Sequence, residues 1–142
     1  MFTQGKRYAL AFLALALLAC VQPVLAQTAA PFDITVQQGA TWSVQLQFKS
    51  FTGAPVDLTD YTASAQIRPS YAADAALLAA FTCVVTDPTH GIVTVTLTSA
   101  QTAALAAPAS AVWDLFLTNT TSGTALRVLA GKVQIVARVT RP

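Results

Sequence analysis

Glutamate is absent from this chain of 142 residues, and histidine occurs once, as His90. With a single histidine, neither a cluster of histidine metal ligands nor an acid–base pair of histidines can be built. Cysteine is almost as scarce: Cys20 sits in an apolar N-terminal run and Cys83 far beyond it. Once that run is set aside one thiol remains, so no internal disulfide can form. Charged residues make up only 10% of the chain, with Lys and Arg together 8 against 6 Asp. Two of the basic residues, Lys6 and Arg7, belong to the N-terminal head, so the remainder is balanced and no polyanionic partner follows. A glycine-rich phosphate loop, zinc-type spacing and a nucleophile elbow are all missing. The expectation is a protein that is not an enzyme and uses no cofactor and no metal.

What is present begins with a leader. Lys6 and Arg7 precede Tyr8 to Val21, which is apolar throughout; Gln22-Pro23 breaks the run, and Val24-Leu25-Ala26 ends it in small residues. This order reads as a secretory signal, with cleavage after Ala26. The run falls short of the roughly 20 apolar residues that cross a bilayer. Leu17-Leu18-Ala19-Cys20 also resembles a lipobox, which makes Cys20 a candidate for lipidation and would tie the chain to a membrane through its N-terminus alone. The organisation read from the sequence is therefore a signal-like apolar segment over 1–26, a lead-in with a possible first strand over 27–36, and a β domain over 37–142.

The rest alternates with a period of two. In Thr41 to Lys49, Trp42, Val44, Leu46 and Phe48 share one face and Ser43, Gln45 and Gln47 the other. Tyr61 to Arg68 puts Ala63, Ala65 and Ile67 on one face, small residues that leave room for a bulky neighbour such as Trp42 or Trp113. Tyr71 to Ala80 reads as a short helix or a loop crossing between sheets. Phe81–Thr86 and Ile92–Thr98 are β-branched strands joined by Asp87-Pro88-Thr89-His90-Gly91, a hairpin loop. Thr98-Ser99-Ala100-Gln101 fits a capping box, with one or two helical turns over Ala103–Ala107 stopped by Pro108. Ala111–Asn119 is a further strand. At the end, Leu126 and Val128 are even-numbered whereas Val133, Ile135, Ala137 and Val139 are odd, so a β-bulge is expected over Leu129–Gly131. The count is about seven strands with turns at 8–12-residue spacing, which points to an all-β, antiparallel β-sandwich with one short helix.

Candidate chemical residues have plainer readings. His90 lies at the hairpin tip as a solvated loop residue. Asp57, Asp60, Asp74, Asp87 and Asp114 are scattered over turns and strands, and no spacing promises a converging pair; Asp57, Asp60 and Asp87 read as turn caps. Cys83, in an apolar strand, reads as an inert thiol. Arg127, Lys132, Arg138 and Arg141 lack aromatic interleaving, so a solvated edge is expected and not a nucleic-acid site. Trp42, Trp113, Phe48 and Phe116 read either as core or as carbohydrate platforms; Trp42 and Trp113 fall on the alternating apolar faces, which favours core. Asn119-Thr120-Thr121 matches the short glycosylation triplet.

Four blocks, taken in order, carry a resemblance. They are Gln38-Gly39-Ala40-Thr41 leading to Lys49; Pro55-Val56-Asp57-Leu58-Thr59-Asp60-Tyr61-Thr62-Ala63 leading to Gln66-Ile67-Arg68; Leu97-Thr98-Ser99-Ala100-Gln101-Thr102-Ala103-Ala104-Leu105; and Trp113-Asp114-Leu115-Phe116-Leu117 followed by Arg127-Val128-Leu129-Ala130-Gly131-Lys132-Val133. Together they resemble a family of small phage and prophage virion proteins, tail- or baseplate-associated β-sandwich domains related to N-terminal domains of some baseplate and fibre proteins. The resemblance spans Gln37 to Arg141. It implies an Ig-like sandwich located in the virion, with other virion structural proteins as partners in homo- or hetero-oligomers, contacted through sheet edges or loops, and no catalytic residues. The chain departs from the pattern in its Thr, Ala and Gln surface and in its export-like leader. The leader implies the alternative of an exported bacterial β-sandwich binding module, periplasmic or lipid-anchored in the cell envelope.

Overall fold

The computed structural model describes residues 29–141. The leader, with Ala26 and Cys20, lies outside the described residues. The chain forms β1 (Ala30–Pro31), β2 (Ile34–Gln37), β3 (Trp42–Gln47), β4 (Tyr61–Arg68), β5 (Ala79–Ala80), β6 (Thr82–Asp87), β7 (Ile92–Leu97), the helix α1 (Ser99–Ala104), β8 (Ala109–Asn119) and β9 (Ala125–Val136). These make two sheets. The larger runs β1-β9-β8-β4-β5, with β2 also on β9; the smaller runs β3-β7-β6.

Alternation decides which side of each strand is covered. In β7, Val93, Val95 and Leu97 are buried; in β8, Ala111, Trp113, Leu115 and Leu117; in β4, Ala65 and Ile67. These inner faces share one core with Ile34, Val36, Val133 and Ile135. Each fully buried aliphatic side chain of this kind contributes about 1.5–3 kcal/mol. A line of rings joins the two sheets. Phe32 meets Trp113 edge-on with centroids 6.0 Å apart, Trp113 meets Phe81 at 5.5 Å, and Phe81 meets Trp42 at 5.6 Å. Trp113 is buried, as expected; Trp42 is half-buried against Phe81. The small side chain of Ala65 lies in this same core.

Several expectations shift. The sheet is not wholly antiparallel: β1 and β2 both run parallel to β9, in the registers Ala30↔Leu129 and Ile34↔Val133. Ala30–Pro31, expected as lead-in, is therefore part of the larger sheet. Tyr71–Leu78 is a loop, and Ala79–Ala80 adds a two-residue strand to β4. Phe81 then carries the chain into the smaller sheet. The helix begins at its capping box as expected, with the Gln101 N–H on the Thr98 hydroxyl and the Gln101 side chain on the Thr98 N–H. It ends at Ala104, because Leu105 is already extended and buries its side chain.

The parity conflict in the last strand is resolved by a bulge, though not over Leu129–Gly131. Leu115 pairs with Leu129 and Phe116 with Arg127, leaving Val128 as the extra residue. Val128 and Leu129 consequently both pack on the core although they are neighbours in sequence. The strand stops at Val136, so Ala137 and Val139 are exposed rather than inward-facing.

Candidate functional site

The turn residues spend their polar atoms locally. The Asp57 carboxylate accepts the Thr59 hydroxyl and the Thr59 N–H (2.9 Å), and these bonds hold its pKa below the usual carboxylate value. Asp87 accepts the Thr89 hydroxyl at 3.0 Å and the His90 N–H at 3.2 Å, and its second oxygen lies 2.9 Å from His90 Nδ1. Its pKa is likewise lowered, first by Thr89. His90 is thus an exposed member of a hairpin cap, as the sequence implies. Asp60, expected to cap a turn, makes no side-chain hydrogen bond among the described residues; its backbone carbonyl instead accepts the N–H at 2.7 Å and the hydroxyl at 3.0 Å of the distant Thr120. Asp74 is exposed in a turn. Asn119 Oδ1 accepts from the N–H groups of Thr121 and Ser122, capping the β8–β9 turn. Burial pushes the Cys83 thiol up to about 11, where thiolate is scarce at neutral pH.

Asp114 differs from these. It stands on β8, with strands on both sides, and its side chain points to the outer face of the larger sheet. Register builds three ranks across that face: Arg68–Val112–Lys132, Gln66–Asp114–Ala130 and Ser64–Phe116–Arg127. Partial burial raises the Asp114 pKa, and Arg127 and Arg68 oppose the rise. No hydrogen bond to the carboxylate forms among the described residues, and the one ion pair among them is Asp87–His90. Arg68 is pinned: Nε and Nη2 donate to Gln66 Oε1 at 3.2 and 2.9 Å, and Nη1 donates to the Ala75 carbonyl. The loop after β4 folds over this face, and the Tyr71 hydroxyl donates to the Gly131 carbonyl at 3.4 Å. Loop and sheet enclose an open cleft of ≈ 410 Å³. Alternation along the sequence places Ser64, Gln66 and Arg68 on one face, yet only register sets them beside Asp114 and Arg127.

The smaller sheet offers a second kind of surface. Both its outer strands, β3 and β6, are paired on one side only. Its outer face is uncharged: Ser43 and Thr96 share a hydroxyl bond of 3.0 Å, Thr86 bonds Thr94, and Gln45 and Val84 flank Thr94. Val84 is 53% exposed, and Phe51 protrudes fully from the β3–β4 turn.

Among the described residues no group of three or more His, Cys and Asp could hold a metal ion, and no helix is long and apolar enough to cross a membrane. No protein-family model matches the chain, and no curated protein sequence matches it.

Proposed function

We propose that this protein is a non-enzymatic structural or accessory component of a phage particle, associated with the tail, baseplate or head–tail junction, and that it works through protein–protein contacts. The observation that carries this reading is the pair of open edges on the smaller sheet. Unpaired strand edges are normally blunted by charge, proline or a covering segment. Trp42–Gln47 contains no charged residue or proline, and Thr82–Asp87 contains no proline and carries charge only at its last residue, Asp87. Such edges suit strand addition by a neighbouring subunit, in which backbone hydrogen bonds supply affinity. The two sheets, their common core and an N-terminal strand running parallel to the last strand support an Ig-like β-sandwich. The four-block resemblance to tail- and baseplate-associated domains supplies the virion setting.

A second reading rests on the leader: an exported bacterial β-sandwich binding module, periplasmic or lipid-anchored. Peptide mass spectrometry of the native N-terminus, comparing purified particles with the host envelope, separates the two. Particle-associated protein is expected. A chain found only in the envelope, starting at Gln27 or at lipidated Cys20, overturns the virion reading.

A further inference from the structure

We infer that the cleft on the outer face of the larger sheet is a binding site for a short saccharide. The inference goes beyond the proposed function, because this face lies on the opposite side of the molecule from the outer face of the smaller sheet.

The chemistry of the cleft favours a ligand that both donates and accepts hydrogen bonds. Asp114 offers two acceptor oxygens that no donor occupies among the described residues. Arg127 likewise makes no hydrogen bond there, and neither arginine comes within ion-pair distance of Asp114. Two guanidinium groups beside one carboxylate disfavour a cationic ligand, and an anionic one meets the Asp114 carboxylate as well as the arginines. An apolar ligand strips water from all three charges without replacing any hydrogen bond, which is expensive. A neutral polyol fits all of them, since each hydroxyl both donates and accepts. Neighbouring hydroxyls can give to Asp114 while taking from Arg127.

Aromatic surface completes the case. Phe116 is half-buried on the cleft floor beside Arg127, and Tyr71, 59% exposed, forms the wall. These rings supply flat apolar faces for the C–H side of a sugar ring, and Tyr71 keeps its hydroxyl engaged with Gly131. The volume of ≈ 410 Å³ lies towards the lower end of the roughly 300–1,000 Å³ range of small-ligand sites. Arg68, held by Gln66 and Ala75, fixes the rim before any ligand arrives, which limits the entropy lost on binding.

The test uses the full chain on an array of mono- to tetrasaccharides, followed by calorimetric titration of the strongest binder. Asp114→Asn, Arg127→Ala and, on the opposite sheet, Gln45→Ala are compared with the parent, and each variant is checked for cooperative unfolding. Saturable binding is expected, weakened at least about tenfold by each cleft substitution and unchanged in Gln45→Ala, a loss that corresponds to about 1.4 kcal/mol. Inorganic phosphate in excess should not compete. Failure of every arrayed saccharide to bind, binding that survives both cleft substitutions, or displacement by phosphate overturns the inference.

Discussion

Gly131 shows how one missing side chain permits the junction between β1 and β2. A Cβ at this position would lie 2.2 Å from the Phe32 carbonyl oxygen and 2.8 Å from an Asp33 carboxylate oxygen. The Phe32 carbonyl is held there by the Trp113 indole N–H at 2.7 Å, and the Asp33 carboxylate accepts the Lys132 N–H at 2.7 Å. Backbone cannot swing aside as a flexible side chain can, so Gly131→Ala should lower stability by about 1–3 kcal/mol, the usual range for overpacking. Urea unfolding measures this; an unchanged midpoint would show that the junction relaxes freely. Asp114 gives a prediction of a different kind. Its pKa is raised in the folded chain, so folding favours the protonated form. Nothing is lost below the unfolded value near about 3.9. Stability falls as pH rises from there through the folded pKa. Asp114→Asn should therefore unfold at higher urea than the parent at pH 7, with the gap closing in acid. Asp57 and Asp87, whose pKa values are lowered, act in the opposite sense, and their stabilisation fades as pH falls through their folded values. Both are common to parent and variant, so a gap that persists unchanged in acid would remove the electrostatic explanation.

The short helix is held less by its own turns than by one threonine. Thr102 is fully buried, donates to the Ala40 carbonyl at 2.8 Å and accepts the Gly39 N–H at 3.1 Å. Beside it the Gln38 side-chain amide donates to the Leu105 carbonyl at 2.8 Å. Helix and β2–β3 turn are thus clamped together. Thr102→Val keeps the shape but leaves Gly39 and Ala40 without this partner, and should destabilise by about 1–3 kcal/mol. Amide exchange at Gly39 should accelerate in the same variant; if it does not, the clamp is not what orders the turn. These two features mark the limit of what sequence reveals. The capping box was legible because its donor and acceptor lie three residues apart. The Thr102 clamp joins residues more than sixty apart and leaves no local trace. The bulge shows the same division. Conflicting parity in the last strand announced that it must exist, but its position at Val128 depends on pairing with β8. The cleft follows this rule too: each rank across the face is a matter of register, which alternation within one strand cannot supply.

At the scale of the molecule the two sheets are finished differently. The larger sheet closes one side with the short parallel strands β1 and β2 and partly covers the other with β5. The smaller sheet pairs β3 and β6 on one side only; β3 presents no charge along Trp42–Gln47, and β6, which runs close to β4, carries charge only at its last residue, Asp87. An uncharged open edge is a hazard for a protein that must stay apart from others and an asset for one that is built into an assembly. If assembly uses these edges, one lysine on the responsible strand should block it while leaving the fold intact. Gln45→Lys tests β3 and Val84→Lys tests β6; both positions are exposed, so unfolding should shift by no more than about 0.5 kcal/mol. Thr35→Lys, exposed on β2 of the larger sheet, adds the same charge away from either edge. Co-sedimentation of each variant with particles lacking the protein is the readout. Loss of association in Gln45→Lys or Val84→Lys, with Thr35→Lys still bound, identifies the strand that receives the neighbour. Retention in both edge variants places the contact on the turns instead, where Phe51 is the most exposed apolar side chain to replace next.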